Sequence, residues 1–280
     1  MMIKMTRVSV VVPSKGCKYL KHLLRGLRDQ SVRPYEVILV VKECNVKDVE
    51  SLCKGYNLPC AVIEQERGYF THALNMGKKE AKGDILVFTD DDAIPLQRWV
   101  ERYAELHARY RDVAAISSRD FYVDLNGPRL APTADDKTIV RIYRWLVRPW
   151  LEPPHPSLEK CRLGVYLTRR LGVAHGPFIP DRTCYSLPFR GVNMSFKASY
   201  VYDAWFPEHE SLKRAPGNEQ HFGLQLLLKG FDTLYVPSNP VLHAARGESL
   251  SRTTRHEVKQ EFKVMQSLYA ELLQKHGVQT

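Results

Sequence analysis

Long hydrophobic runs are missing from this sequence of 280 residues. It contains no stretch of about 18 apolar residues, so no helix is expected to span a membrane. The apolar run near the start, Val8–Val12, is too short for a secretory signal, and Pro13 follows it directly. We therefore expect a cytoplasmic protein.

Cysteine is sparse and shows no metal-type pattern. No two of the six cysteines have the close pairing of a metal site. Reduced, unpaired thiols are the expectation, and a disulfide between Cys53 and Cys60 is the alternative in a hyperthermophilic source. The six are Cys17, Cys44, Cys53, Cys60, Cys161 and Cys184.

Acidic residues are fewer than basic ones. The chain has 41 Lys and Arg against 31 Asp and Glu, which gives a net charge of +10. Such an excess favours polyanionic partners, namely nucleic acid, an anionic membrane surface or phosphorylated substrates. The charge alone does not choose among them, although the sequence contains no recognised nucleic-acid-binding module.

The acids that are present concentrate in one stretch, ILVFTDDDAIP, at residues 85–95. The apolar residues Ile85–Phe88 predict a buried parallel strand, and Asp90, Asp91 and Asp92 follow its carboxyl end, where ligands bind in open α/β sheets. Neighbouring carboxylates repel one another unless a cation or a ligand shares them. Carboxylates suit Mg²⁺ or Mn²⁺. The alternative is a solvated acidic turn that caps a helix starting near Leu96.

Strands alternate with single helices over the first ninety or so residues, and this order predicts the fold. Strands are expected over 7–12, 36–41, 61–63 and 85–88, with helices over about 20–33, 46–54 and 71–82. Such alternation indicates an α/β fold with a doubly wound, mainly parallel sheet of Rossmann-like type, flanked by helices. Because such sheets host many chemistries, the function must be inferred from the site.

Several motifs in this order resemble those of family-2 glycosyltransferases of the GT-A type. The first half has VSVVVPSKG, EVILVV and RGYFTHALNMGKKEAKGDILVFTDDDAIP, and the second half has FRGVNMSFKAS (Phe189–Ser199) and APGNEQHFGLQLLLKGFDTLYVPSNPVLHAARGES (Ala215–Ser249). The resemblance covers about residues 6–110 and 186–252. It implies a GT-A fold, a nucleoside-diphosphate sugar donor (UDP-, GDP- or dTDP-linked), a divalent cation (Mn²⁺ or Mg²⁺) and an inverting transfer to a hydroxyl of a glycan or lipid-linked acceptor.

The resemblance also implies roles for individual residues. Asp90 would face the donor ribose, Asp92 would bind the metal, and His243 would be a further ligand. Glu43 is the nearest candidate for the acid that reads the nucleobase. The full set of implied donor-binding residues is Pro13, Ser14, Lys15, Glu43, Arg67, Gly68, Asp90, Asp91 and Asn193.

One acid far along the chain fits the role of base. Breaking a glycosyl phosphate bond releases a diphosphate, whose charge a cation neutralises. The acceptor hydroxyl is a poor nucleophile, so a carboxylate must take its proton, and a base on the face opposite the leaving group gives inversion. We assign this role to Glu219, although the family usually has Glu-Asp where this chain has Asn218-Glu219.

The resemblance and its gaps divide the chain into four parts. Residues 1–120 form a nucleotide-sugar-binding half, 121–185 a variable segment, 186–252 an acceptor and catalytic half, and 253–280 a C-terminal helix. In the variable segment, an amphipathic helix is expected over Ile139–Leu151. Either its apolar face packs on the sheet, or this face and the nearby arginines bind peripherally to the inner face of the cell membrane.

Two other functions remain open from the sequence. A sugar-phosphate nucleotidyltransferase also uses a parallel sheet and paired acids, but its phosphate-binding loop is glycine-rich, and Pro13-Ser14-Lys15-Gly16 contains one glycine. A non-catalytic nucleotide-sugar-binding protein would keep the donor site without using Glu219 as a base.

Overall fold

The computed structural model describes residues 6–125, 130, 138–245 and 255–279. The predicted boundary near residue 252 lies outside these residues. None of the helices among them is both long enough and apolar enough to cross a bilayer.

Strands and helices alternate through the first part of the chain, as the sequence predicts. The elements are β1 (Val8–Lys15), α1 (Leu20–Arg28), β2 (Glu36–Lys42), α2 (Val46–Gly55), β3 (Cys60–Glu64), α3 (Phe70–Glu80), β4 (Ile85–Phe88), β5 (Ala93–Pro95), α4 (Trp99–Arg109), β6 (Val113–Ser117) and β7 (Asp120–Val123).

The second part is less regular. It comprises α5 (Thr138–Ile142), a π-helical turn (Tyr143–Val147), α6 (Arg148–Leu151), a 3₁₀ turn (Pro156–Cys161), β8 (Val165–Leu167), β9 (Val173–His175), β10 (Cys184–Tyr185), a 3₁₀ turn (Gly191–Asn193), β11 (Met194–Lys197), α7 (Ala198–Val201), α8 (Asn218–Leu228), β12 (Asp232–Tyr235), β13 (Val241–Ala244) and α9 (Arg255–Lys275).

The main sheet has eight strands in the order β10-β12-β6-β11-β4-β1-β2-β3. Strands β3, β2, β1 and β4 are parallel, while β11 runs antiparallel between β4 and β6. The predicted α/β fold with a mainly parallel sheet is confirmed. A second sheet, β5-β13-β7, follows the acidic turn and aligns His243 with Ala93. Residues distant in sequence thereby meet beside the acids.

Helices cover the sheet with the apolar faces that the spacing predicts. Leu20, Leu23, Leu24 and Leu27 of α1 are fully buried, and each such burial stabilises the fold by about 1.5–3 kcal/mol. Helix α3 crosses β1 so closely that a Cβ on Gly77 would lie 2.3 Å from Val11 Cγ1. Glycine is therefore required there by packing.

The first strand is longer than predicted. It continues through Pro13 and Ser14 to Lys15, because the pairing of β1 with β4 ends at Val11 while its pairing with β2 continues to Lys15. Beyond Val11, β1 makes no strand pairing on the side that faces β4. The missing N–H of Pro13 is therefore tolerated there.

The expectation that all cysteines are unpaired is wrong for two of them. Cys17 and Cys44 form a disulfide with a Cα–Cα distance of 5.9 Å, while Cys53 and Cys60 are free thiols. The reason is the parallel pairing of β1 with β2, which places the loops after both strands at the same sheet edge. The disulfide joins these two loops.

The C-terminal helix packs against the body of the protein. Met265, Tyr269 and Leu273 of α9 are buried in a cluster that also contains Leu224 of α8. Its role at the site follows from further contacts described below.

Candidate active site

The acidic turn lies between β4 and β5 and does not cap a helix. Helix α4 begins only at Trp99, after the intervening strand β5. Asp91 and Asp92 are 6% and 2% exposed, and Ser14 Oγ donates a 2.6 Å hydrogen bond to Asp91 Oδ2. The alternative of a solvated capping turn is therefore wrong, since two of its three carboxylates are buried and no helix begins at the turn.

His243 links the acidic turn to a second buried acid. Its Nε2 lies 3.1 Å from Asp92 Oδ2, and its Nδ1 lies 2.9 Å from Asp120 Oδ2. Burial alone would lower the pKa of His243, but the hydrogen bonds to Asp120 and Asp92 outweigh it and raise this pKa to about 10. The imidazolium thus bridges the two carboxylates.

The same residues fit a divalent cation. One ligand atom from each of Asp90, Asp92 and His243 can be chosen so that all lie within 4.8 Å of one another. Carboxylate oxygens with an imidazole nitrogen suit Mn²⁺ or Mg²⁺. Asp120 would then hold the other imidazole nitrogen, as outer partners of metal-bound histidines do. A bound cation would displace the proton from Nε2.

A cavity of about 660 Å³ opens beside these groups. Glu219 lies on its wall together with Asp90 and His243, although they are far apart in the sequence. The complete lining is Phe70, Asp90, Asp120, Tyr122, Arg190, Gly191, Val192, Arg214, Pro216, Gly217, Asn218, Glu219 and His243. The fold therefore brings Asp90, His243 and Glu219 to one pocket, while Asp92 contacts His243 without lining the cavity.

Glu219 is the second residue of α8 and is partly buried. Desolvation raises its pKa, although backbone hydrogen bonds at Glu219 and Gly191 and the charge of Arg190 act in the opposite direction. A raised pKa strengthens the carboxylate as a proton acceptor. The neighbouring Asn218 donates its amide to Ala215 O at 2.8 Å, and its Oδ1 has no hydrogen-bond partner among the described residues.

Helix α9 holds the loop that leads to Glu219. Glu261 Oε2 accepts hydrogen bonds from the N–H groups of Arg214 and Ala215, at 3.0 and 2.8 Å. Tyr269 donates its hydroxyl to Gly217 O at 2.6 Å. The C-terminal helix thus fixes the backbone immediately before the candidate base.

The predicted nucleotide-binding residues gather along the ends of β1 and β2. Lys15 Nζ pairs with Glu43 Oε1 at 3.1 Å, and Lys42 Nζ donates to Gly68 O at 2.7 Å. Arg67 lies exposed on the loop before α3. Pro13 and Ser14 are buried at the base of this edge. These residues form a rim beside the acidic turn, next to the disulfide.

Asn193 does not belong to this group. Its side chain is fully buried. Its Oδ1 accepts from Trp99 Nε1 at 2.9 Å and from Tyr103 Oη at 2.6 Å, while its Nδ2 donates to Arg119 O and Asn239 O. All of its polar groups are therefore used inside the protein, and we do not include Asn193 in the donor site.

The sequence did not predict Asp120, Tyr122 and Arg190, three pocket residues that lie beside His243 or its partner. Arg190 Nη1 pairs with Asp120 Oδ1 at 2.7 Å, and the Tyr122 ring stacks on the His243 ring at a centroid distance of 4.7 Å. The available signal was that Asp120 and Tyr122 follow the buried run Val113–Ser117, just as Asp90 follows β4. Arg190 stands within the quoted FRGVNMSFKAS motif.

The fold and this arrangement of acids define a glycosyltransferase of the GT-A type. The chain belongs to glycosyl transferase family 2, whose family model matches residues 9–155. It is 34% identical over 87 residues to an uncharacterized glycosyltransferase from Haemophilus influenzae, covering 30% of this chain and 29% of that protein.

Two solved structures share the fold at low sequence identity. GalNAc-T7, crystallised with UDP, GalNAc and Mn²⁺, aligns with a TM-score of 0.70 and 13% identity over 99% of this chain and 55% of its own. S. aureus TarS residues 1–349, crystallised with UDP, aligns with a TM-score of 0.58 and 18% identity over 95% of this chain and 65% of its own. The chain thus spans less than two thirds of each relative.

Proposed function

We propose that this chain is a metal-dependent, inverting glycosyltransferase. It transfers a sugar from a nucleoside-diphosphate sugar to a hydroxyl of a glycan or lipid-linked acceptor, and the predicted cytoplasmic location is part of the proposal. The observation that carries the proposal is the shared pocket, in which Asp90 and His243 face the same cavity as Glu219. UDP sugars are the first donors to test, since GalNAc-T7 and TarS were both crystallised with UDP.

The donor side of the proposal rests on the acidic turn and the strand ends. Asp92 and His243, with Asp90 beside them, would hold Mn²⁺ or Mg²⁺, which neutralises charge on the departing diphosphate. Asp90 would also meet the donor ribose, and Asp91 would hold the turn in place through its hydrogen bond from Ser14. The nucleotide would lie along the rim formed by Pro13, Ser14, Lys15, Glu43, Arg67 and Gly68.

The acceptor side of the proposal rests on the start of α8. Glu219 takes the proton of the acceptor hydroxyl as its oxygen attacks the anomeric carbon, opposite the leaving diphosphate. Attack from that face inverts the configuration. Asn218 lines the same wall, and its buried Oδ1 has no hydrogen-bond partner in the described part of the chain.

Thermal denaturation with UDP, GDP and dTDP sugars, each with and without Mn²⁺, tests the donor half. A ligand at about 100 times its Kd stabilises the native state by about 2.7 kcal/mol, which is about 5 °C in Tm for a chain of this size. We expect one nucleotide class to give this shift only with the cation. Asp92→Asn should abolish it, while the control Asp48→Asn, at an exposed carboxylate on α2, should retain it.

Two results would contradict the donor site. One is the absence of a shift with every nucleotide and cation combination. The other is an equal shift in Asp92→Asn and in the wild-type protein, since the ligand would then bind away from the acidic turn.

A further inference from the structure

The helical segment 138–151 exposes several large apolar side chains. It comprises α5, the π-helical turn and α6, 14 residues in total. We call its outward apolar side chains the apolar strip: Ile139 (71% exposed), Ile142 (47%), Trp145 (57%), Leu146 (52%), Trp150 (86%) and Leu151 (61%). The apolar face therefore does not pack on the sheet, and this half of the sequence-based alternative is wrong.

Two arginines, and not the apolar side chains, attach the segment 138–151 to the rest of the protein. Arg144 is 9% exposed. Arg148 Nη1 donates to His175 O at 3.1 Å, and its Nε lies 2.8 Å from Glu152 Oε2. The π-helical turn interrupts the 3.6-residue period of a regular helix. The apolar face predicted with a uniform 3.6-residue period therefore differs from the apolar face that is observed.

Exposed basic residues adjoin the apolar strip. The segment 138–151 contains no acidic residue, and Arg141 is exposed beside Ile142. Arg169 and Arg170 are exposed in the turn between β8 and β9. The N–H of Arg169 donates to Pro153 O at 3.2 Å, two residues beyond the end of the strip. This contact brings the two arginines to the end that carries Trp150.

This combination of features matches a lipid interface. Exposed tryptophans favour the boundary between lipid headgroups and acyl chains, and basic residues beside them are attracted to anionic lipids. Tryptophan and arginine are also enriched in protein interfaces, so self-association with a second copy of this chain is an outcome that the experiment must distinguish. At 1.5 Å per residue the segment is about 21 Å long, shorter than the roughly 30 Å hydrocarbon core. It can lie in the interface plane without crossing the bilayer.

We propose that the apolar strip and Arg141, Arg169 and Arg170 form a docking surface for an anionic lipid bilayer. The surface is connected to the pocket. Arg148 binds the carbonyl of His175, and the His175 ring packs against the Phe189 ring at 5.1 Å. Arg190, the next residue, lines the cavity. If the proposed transfer holds, docking would bring a lipid-linked acceptor close to the acceptor wall.

Vesicle flotation tests the docking surface with the full chain and without any catalytic readout. We expect flotation with vesicles that contain phosphatidylglycerol, weaker flotation with pure phosphatidylcholine, and a loss of binding as salt increases. Trp145→Ser/Trp150→Ser should reduce partitioning at least about tenfold. Arg169→Glu/Arg170→Glu should reduce it by about fivefold or more per residue.

Matched controls keep charge and aromatic changes away from the strip. Tyr202→Ser removes an aromatic side chain that is 75% exposed elsewhere, and Lys47→Glu/Lys54→Glu reverses two exposed charges on α2. Both should float like the wild type. In the wild type, brominated lipids should quench tryptophan fluorescence, and this quenching should disappear in Trp145→Ser/Trp150→Ser.

Three outcomes would overturn the docking surface. The first is no flotation with either kind of vesicle. The second is equal flotation of wild type and Trp145→Ser/Trp150→Ser. The third is concentration-dependent self-association that the tryptophan substitutions abolish, without vesicle binding, because the strip would then bind a second copy of this chain. Nucleotide-dependent thermal shifts measured on the same variants report the donor site separately, so the failure of one proposal is distinguishable from that of the other.

Discussion

Replacing Glu219 by glutamine is the sharpest test of the proposed chemistry. The substitution keeps the size and one acceptor oxygen of the side chain, so the backbone N–H of Gly191 retains a partner. What is lost is the ability to take a proton. General bases contribute about 10² to 10⁴-fold to the rate, and we expect kcat to fall by that factor, about 3 to 5 kcal/mol in activation free energy.

The structure also predicts which properties Glu219→Gln should retain. The metal acids lie on the acidic turn after β4, whereas Glu219 lies on α8. Donor binding and the cation-dependent thermal shift should therefore be retained in Glu219→Gln. Glu219→Asp, which keeps a carboxylate with one methylene fewer, should recover part of the lost kcat because the family usually carries aspartate at this position.

The pH dependence of kcat provides a second, independent readout. Desolvation raises the pKa of Glu219 above the 4.5 of an ordinary glutamate side chain. The base acts only when it is ionised, so kcat should fall as pH falls through this raised pKa, and the acid limb should lie above pH 4.5. In Glu219→Gln that limb should disappear from whatever activity remains.

The assay is the release of nucleoside diphosphate coupled to detection of the glycosylated acceptor, with Mn²⁺ present. A Glu219→Gln variant that is folded, binds the donor and keeps the wild-type kcat would refute the assignment of the base. A wild-type protein that binds the donor but transfers no sugar to any glycan or lipid-linked acceptor would favour the non-catalytic binding function.

Three further predictions follow from the structure. Asp120→Asn should weaken Mn²⁺ binding about 10 to 100-fold, because His243 loses its orienting carboxylate. Isothermal titration measures this, and an unchanged affinity would contradict the role of Asp120 in orienting His243. Replacing Cys17 and Cys44 by serine should lower the free energy of unfolding by about 3 to 4 kcal/mol, because the disulfide closes a loop of 27 residues. In urea titrations, dithiothreitol should lower the stability of the wild type by the same amount and leave the serine variant unchanged. Asn193→Ala should lower it by about 2 to 4 kcal/mol without changing the donor Kd of the folded protein, and a weakened donor Kd would restore Asn193 to the donor site.

Asn193 and Glu219 show what a resemblance to a family motif can and cannot predict about a side chain. Both positions stand in motifs similar to those of the family. The structure places Glu219 on the pocket wall, but it buries Asn193 among Trp99, Tyr103 and two backbone carbonyls. A motif locates a segment in the fold, whereas the side chain's direction depends on what packs around that segment.

Local pattern along the chain was sufficient to predict the alternating strands and helices, the buried leucine face of α1 and the position of the acidic turn after β4. These features depend on apolar periodicity and on residues that are neighbours in the sequence, so short-range physics determines them. Only the tertiary structure decided which distant groups meet. The pairing of β13 with both β5 and β7 places His243 between Asp92 and Asp120, and the pairing of β1 with β2 places Cys17 beside Cys44. Strand order and helix orientation are settled by the packing of the whole chain, and no local pattern encodes them.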